Sequence, residues 1–254
     1  MSEGLSYFLS FLAAAIPAGM PLLYGTLGEI LTEKGGNLNL GVEGMMYMGA
    51  IFGFVGGYYA DSVLVMLLLA FAGGALGALI YAVLTVTLKA NQNVTGLTLT
   101  IFGTGLANFI GENIVLSSPS QTAKVSDALM ARITNAGIPL LKEIPILGPM
   151  LFDTNIFVYL GIAIAVGMGL YLNHTRKGLN LRAIGENPAA ADAAGVNVTL
   201  YKYAHILVGG GVCGIGGAYV TFVTCSGMWI QDCVGGLGWI AVALVIFASW
   251  SSYR

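Results

Sequence analysis

The chain has 254 residues, of which 57% are hydrophobic and only 9% are charged, and its mean hydropathy is +0.83. A soluble domain carries about 25% charged residues, so this composition excludes a globular protein with an ordinary water-facing surface. The formal net charge of −2 argues against a nucleic-acid partner. The three cysteines form no zinc or redox motif, and we expect them to be small buried side chains.

Six apolar stretches approach or exceed the roughly 20 residues that a helix needs to cross the hydrocarbon core of a bilayer. They are residues 7–31, 42–60, 62–88, 96–116, 155–172 and 203–224, and a seventh, 237–250, is too short to span fully. Backbone groups in lipid must be satisfied internally, and the alternation typical of a membrane barrel is absent from the sequence. The sequence therefore predicts one all-α domain over residues 1–254, a polytopic membrane helical bundle with about seven hydrophobic segments.

The distribution of lysine and arginine predicts the orientation of this bundle. The loop after the fifth stretch, about residues 175–202, is the most basic and should lie in the cytoplasm. Alternation then places seven of the ten basic residues on the cytoplasmic side. The N-terminus and a long loop, about residues 117–153, are expected outside the cell.

Two short linkers between the stretches are rich in amides and glycine: "EKGGNLNLGVEG" at 33–44 and "NQNVTG" at 91–96. One interpretation is that they interrupt helices beside a polar pathway for a neutral, hydroxyl-rich solute. The other is that they are ordinary turns, which favour the same residues. On the first interpretation, the candidates for lining the pathway are Asn37, Asn39, Glu43, Asn91, Asn93 and Thr95.

The few ionisable residues inside or beside the spans are Glu29, Glu43, Glu112, Asp232 and His205. Because they fall near the ends of the spans, we interpret the acids as reaching interfacial water and the histidine as a packed side chain. The sequence contains no histidine or cysteine cluster with metal spacing, no nucleophile motif and no phosphate-binding glycine loop. It therefore predicts no catalytic residues, no metal site and no cofactor.

The basic loop contains "GENPAAADAAG" at residues 185–195, which predicts a short helix with a cap at each end. Asn187 is placed to cap the N-terminus, Pro188 fits the first helical position, and Gly195 fits a left-handed C-cap. A helix this short is marginal alone in water. It is therefore either a connecting helix or a helix that docks against another protein.

Four segments carry a family resemblance: "LGEILTEKGGNLNLGVEGMMYMGA", "NQNVTGLTLTIFGTGL", "GLNLRAIGENPAAADAAGVNV" and "GLGWIAVALVIFASW". Together they resemble ABC-importer permeases of the branched-chain amino acid, ribose and nucleoside type. The resemblance covers about residues 10–250 in collinear order, and it is greatest to the simple-sugar and nucleoside branch.

The resemblance implies a transmembrane permease subunit of an ATP-binding-cassette importer, a multi-pass protein of a bacterial cell membrane that moves a simple sugar or nucleoside inward. It implies separate ABC ATPase subunits that hydrolyse ATP, a second permease subunit, either homologous or identical, and an extracytoplasmic solute-binding lipoprotein. It also implies that the short helix couples to the ATPase. The matching positions are Gly185, Glu186, Asn187, Pro188, Ala190, Ala191 and Gly195.

One alternative function and one departure from the family pattern accompany this resemblance. An ion-coupled secondary transporter or channel would use acids such as Glu43 or Asp232 to bind protons or sodium. In addition, family members usually continue beyond the "VIFASW" region, so we expect this sequence to be a fragment, a frameshifted copy or a shortened variant.

Overall fold

The structure is a computed structural model that describes residues 3–137 and 154–247. Part of the predicted external loop, residues 138–153, and the end of the seventh apolar stretch therefore lie outside the described residues. The described part contains ten α-helices: α1 (Glu3–Lys34), α2 (Val42–Ala60), α3 (Val63–Ala82), α4 (Gln92–Ser117), α5 (Asp127–Thr134), α6 (Ile156–His174), α7 (Arg176–Glu186), α8 (Pro188–Ala193), α9 (Val198–Tyr219) and α10 (Leu237–Phe247).

The predicted helical membrane bundle is confirmed. Five helical segments are long and apolar enough to cross a membrane: Ala13–Lys34, Val63–Thr87, Gln92–Ser117, Ile156–His174 and Val198–Thr224. Two of these segments extend beyond α3 and α9 through π-helical turns at Val83–Thr87 and Val220–Thr224. The other two predicted segments are α2, with 19 residues, and α10, with 11.

Helices α2 and α9 form the centre of the bundle. Helix α2 packs against α3, α4 and α9, and α9 also packs against α1 and α3. The backbones approach closely where glycines meet, since a Cβ added at Gly49 or at Gly74 would overlap the backbone of Gly214. Spacing of small residues by four, as in Gly210 and Gly214, allows this kind of contact between membrane helices.

The bundle has two distinct ends. At the α7–α8 end, α7 contacts the last turn of α1 as well as α6 and α9. At the α5 end, Ser126 donates a hydrogen bond to Asp61, which follows the last residue of α2. Helix α2 spans the distance between them, because it begins next to α1 at the α7–α8 end and has a length of about 28 Å at 1.5 Å per residue.

A long loop after α9, residues 225–236, runs from the α5 end back along the bundle. At the α5 end, the amide of Val125 donates to the Gly227 carbonyl at 3.0 Å, and the amide of Trp229 donates to the Ala123 carbonyl at 2.9 Å. The loop ends where α10 begins, beside Glu43 in the first turn of α2. We call residues 225–236 the re-entrant loop.

Candidate functional site

The basic loop folds as two short helices with a sharp corner between them. The hydroxyl oxygen of Thr175 accepts a hydrogen bond from the Gly178 amide at 3.0 Å and caps α7. Asn187 ends α7 and begins α8, where its side-chain oxygen accepts from the Ala190 amide at 3.0 Å. Pro188 occupies the first turn of α8, so the predicted N-terminal cap is confirmed.

The C-terminal end of α8 is also closed as the sequence predicts. Gly195 has a φ of +82°, its amide donates to the Asp192 carbonyl at 2.8 Å, and the Val196 amide donates to the Ala191 carbonyl at 3.1 Å. This pair of bonds is a Schellman motif, which satisfies carbonyls at a helix end. Of the candidate coupling residues, Ala191 is buried, whereas the others are exposed: Gly185, Glu186, Asn187, Pro188, Ala190 and Gly195.

The corner between α7 and α8 rests directly on the end of α1. A Cβ added at Gly185 would overlap the carbonyl oxygen of Lys34, and one added at Gly36 would lie 3.3 Å from the Cα of Gly185. Gly36 itself has a φ of +78°, a conformation that residues with a Cβ rarely adopt. Backbone therefore packs on backbone here, with no side chain between the two segments to absorb a displacement.

The linker between α1 and α2, residues 35–41, is bonded to α3 and α4; we call it the joint. The amide of Leu38 donates to the side-chain oxygen of Gln92 at 2.8 Å, and the hydroxyl of Tyr81 donates to the Leu38 carbonyl at 2.6 Å. The hydroxyl of Thr100 donates to the Leu40 carbonyl at 3.3 Å. The joint is therefore attached to two helices in addition to the two that it connects.

Buried polar side chains fill the inside of the joint. The Glu29 carboxylate accepts a hydrogen bond from the Asn39 amide at 2.8 Å, and the Asn39 side-chain oxygen accepts from the Gly41 amide at 2.9 Å. Glu29 is 0% exposed, and Asn37 and Asn39 are each 1% exposed. The expectation that Glu29 reaches interfacial water is therefore wrong, because its carboxylate is used to hold the backbone of the joint.

Glu43 occupies a second buried position and holds the start of α10. Its two carboxylate oxygens accept hydrogen bonds from the amides of Gly236 at 2.7 Å and Gly238 at 2.6 Å. The hydroxyl of Tyr47, one turn along α2, accepts from the Gly235 amide at 3.2 Å. The unpaired amides of a helix N-terminus favour an anion. The expectation that Glu43 reaches interfacial water is also wrong, because the side chain is buried and both of its carboxylate oxygens bind backbone amides.

The second amide-rich linker begins α4. The side-chain oxygen of Asn91 accepts from the Val94 amide at 3.1 Å and caps the helix. Asn93 is exposed, whereas Thr95 is buried. The structure thus brings Asn37, Asn39 and Glu43 into the packing of the bundle and leaves Asn91 and Asn93 at its surface. That any of them lines a pathway stays a prediction.

His205 is packed, as the sequence indicates. Its ring nitrogens lie 2.8 Å from the Tyr171 hydroxyl and 2.6 Å from the Tyr201 carbonyl. The ring borders a cavity of about 830 Å³ whose walls are mostly apolar, such as Phe71 and Ile164. Such a cavity does not suit a hydroxyl-rich solute. Within the part of the chain that the structure describes, no three His, Cys, Asp or Glu side chains are grouped to hold a metal ion.

Comparison with known proteins gives consistent matches over the whole chain. Residues 11–254 match the family described as branched-chain amino acid transport system / permease component. The chain is 34% identical over 250 residues to a putative glucose ABC transporter permease protein of Haloferax volcanii, covering 98% of this chain and 74% of that protein. It is 33% identical over 238 residues to a nucleoside ABC transporter permease protein of Lactococcus lactis, covering 91% and 73%. It is 31% identical over 254 residues to a guanosine ABC transporter permease protein of Bacillus subtilis, covering 95% and 77%. No solved structure matches significantly.

Proposed function

This chain belongs to the family of permease components of the branched-chain amino acid transport system. We propose that α8 is the helix through which an ATPase subunit drives transport by this permease. The chain is a multi-pass membrane protein and a permease subunit of an ABC transporter. Its relatives are named for glucose, nucleoside and guanosine transport. The cargo proposed here is accordingly a simple sugar or a nucleoside moved inward, two solute classes that share a hydroxyl-rich sugar ring.

Three features of α8 support a role as the docking helix for an ATPase subunit. Most of its residues are exposed, only Ala191 being buried. Both of its ends are capped, which stabilises a helix of six residues that would be marginal alone. The exposed alanines leave a smooth surface with little side-chain entropy to lose when a partner binds.

The observation that carries the proposal is the contact of Gly185 with Lys34 and Gly36. A push on α8 passes through this backbone contact to the joint, because close-packed backbone cannot be compressed. The joint is bonded to Gln92, Tyr81 and Thr100, so the displacement reaches the ends of α1, α2, α3 and α4 together. Movement of these helix ends would switch the pathway between outward-facing and inward-facing states.

The remaining components follow from the same family. Two ATPase subunits would hydrolyse ATP, a second permease subunit would complete the pathway, and an extracytoplasmic lipoprotein would deliver the solute. The permease itself would carry no catalytic residue. An ion-coupled mechanism is not favoured, because the chain belongs to a family of transport-system permease components and its relatives are ABC transporter permeases. Both carboxylate oxygens of Glu43 are in addition bonded to the amides of Gly236 and Gly238.

Co-purification of the ATPase tests the docking role of α8. We expect Ala190→Glu to abolish association with the ATPase subunit and ATP-driven uptake of labelled glucose and guanosine, because it places a charged side chain on the exposed surface of α8. The matched control is Ala131→Glu, the same change at an exposed alanine of α5 at the opposite end. The proposal is overturned if Ala190→Glu binds the ATPase as well as the wild type, or if both variants lose it equally.

A further inference from the structure

A polar stripe runs along one face of α4 within a membrane-spanning segment. Thr104, Asn108 and Glu112 are spaced by four residues, which places them on the same face of the helix. Thr104 and Asn108 are half-buried and Glu112 is exposed. Polar and ionisable side chains that face lipid are costly. We therefore expect this face of α4 to meet water or other polar groups and not the lipid chains.

The re-entrant loop lies against this stripe and adds polar groups to it. The side-chain amide of Asn108 donates to a carboxylate oxygen of Asp232 at 2.9 Å, and the Asp232 amide donates back to the Asn108 side-chain oxygen at 3.3 Å. Asp232 has a φ of +52°, which costs a non-glycine residue about 1 kcal/mol or more. The two bonds to Asn108 hold it there, and both Asp232 and its neighbour Gln231 remain exposed.

Trp229 of the re-entrant loop packs between α4 and α2 next to this surface. Its indole ring packs on Gly111 of α4 and lies 5.7 Å from the ring of Phe54, so the re-entrant loop is anchored to two helices. The indole N–H is buried and has no hydrogen-bond partner among the described residues. An unsatisfied buried donor is unusual in a folded protein. The indole nitrogen lies against Gly111, which is about one helical turn from Asn108 along α4.

We propose that Thr104, Asn108 and Glu112 of α4, with Gln231 and Asp232 of the re-entrant loop, form the surface that binds the hydroxyl groups of the solute. The surface combines carboxylates, which accept from adjacent hydroxyls, with amides, which both donate and accept. A vicinal diol matches this set, and it occurs both in simple sugars and in the ribose of a nucleoside. The class of solute assumed here, a simple sugar or a nucleoside, rests on the proposed function.

Equilibrium binding to the purified chain tests this surface without the ATPase. The probes are labelled guanosine and glucose, with 2′-deoxyguanosine as a competitor that lacks the diol. We expect Asp232→Asn and Asn108→Ala each to raise the Kd for guanosine about tenfold, the equivalent of one hydrogen bond of 1.4 kcal/mol. We expect the wild type to prefer guanosine over 2′-deoxyguanosine and Asp232→Asn to lose most of that preference.

Two further variants keep the test decisive. Asn113→Ala is the matched control, since Asn113 is also exposed on α4 but its side-chain amide donates to the Phe109 carbonyl at 2.7 Å. Gln231→Ala removes an exposed side chain, so folding should be unaffected, and it should raise the Kd several-fold. The inference is overturned if all three surface variants bind like the wild type, or if Asn113→Ala weakens binding equally. Failure of ATP-driven uptake with these binding effects intact would instead count against the proposed function alone.

Discussion

Two of the irregular linkers that the structure describes, the joint and the re-entrant loop, differ in what they expose. The joint, residues 35–41, is held by Glu29, Tyr81, Gln92 and Thr100, and its two asparagine side chains are buried. The re-entrant loop, residues 225–236, is anchored by Trp229 and Glu43 but exposes Gln231 and Asp232. Irregular backbone at membrane depth must be buried in protein or line a polar cavity. The joint meets this requirement in the first way, and we expect the re-entrant loop to meet it in the second.

The difference assigns different tasks to the two linkers. A linker whose polar side chains are buried inside the bundle presents none of them to a solute, but it can transmit displacement between the helices that hold it. A linker that leaves amide and carboxylate groups exposed can bind a solute as it passes. We expect the joint to work with α8 and the re-entrant loop to work with the polar stripe of α4.

The largest effect should come from removing the anchor of the re-entrant loop. Glu43→Ala leaves the amides of Gly236 and Gly238 without acceptors, and each buried unsatisfied group costs about 1–3 kcal/mol. We expect a marked fall in melting temperature and in folded yield, measured by fluorescence-detected size exclusion. Glu43→Gln keeps one acceptor oxygen and should lie between Glu43→Ala and the wild type. An unchanged melting temperature for Glu43→Ala would contradict the role of Glu43 as the anchor of the re-entrant loop.

A smaller effect is expected from loosening the joint. Tyr81→Phe removes the hydrogen bond to the Leu38 carbonyl, which contributes about 1 kcal/mol. Uptake per ATP hydrolysed should fall several-fold, because the joint then follows α8 less closely. Tyr59→Phe is the control, since Tyr59 is 71% exposed at the end of α2. Equal coupling ratios in the two variants would contradict a transmitting role for the joint.

A comparable or slightly smaller change should follow loss of the α8 cap. Asn187→Ala removes the acceptor for the Ala190 amide and should destabilise α8 by about 1 kcal/mol. We expect weaker ATPase association with an unchanged melting temperature of the bundle. Asn187→Asp should restore binding, because aspartate caps a helix as well as asparagine does. If Asn187→Asp is as defective as Asn187→Ala, the cap is not what matters at this position.

The smallest effect is expected at an exposed ion pair of the α5 end, which lies at the opposite end of the bundle from α8 and the joint. Lys124 contacts Asp127 at 2.6 Å, and this bond and charge lower the pKa of the Asp127 carboxyl. A lowered pKa in the folded state means that any stabilisation is present above the ordinary pKa of aspartate and is lost as the pH falls. Because the pair is exposed, Asp127→Asn should leave the melting temperature and uptake unchanged at neutral pH. A clear loss of uptake would show that the α5 end also takes part in transport.

The parts of the structure that the sequence predicts well are those set by local signals. The short helix α8 begins and ends where Asn187, Pro188 and Gly195 indicate, because caps act within one turn. The hydrophobic segments appear as helices, because about 20 apolar residues can satisfy their backbone in lipid in few other ways.

The parts that the sequence did not predict depend on contacts between distant residues. Glu43 lies 193 positions before Gly236, and Asn108 lies 124 positions before Asp232. Tyr81, Gln92 and Thr100 gave no signal of their own, since a polar residue in an apolar stretch does not reveal its partner. The glycines at 35 and 36 permit a close backbone approach, but the sequence does not identify the segment that approaches.

We expect α8 and the joint to move as one body during transport. Spin labels at Ala193→Cys and Leu38→Cys, in a background with the three native cysteines replaced by alanine, measure this directly in the complex with the ATPase. We expect the distance between the labels to be the same in the nucleotide-free and ATP-trapped states, while the distance from Ala193→Cys to a label at Gln231→Cys changes. A change between the first two labels as large as that to Gln231→Cys would contradict the claim.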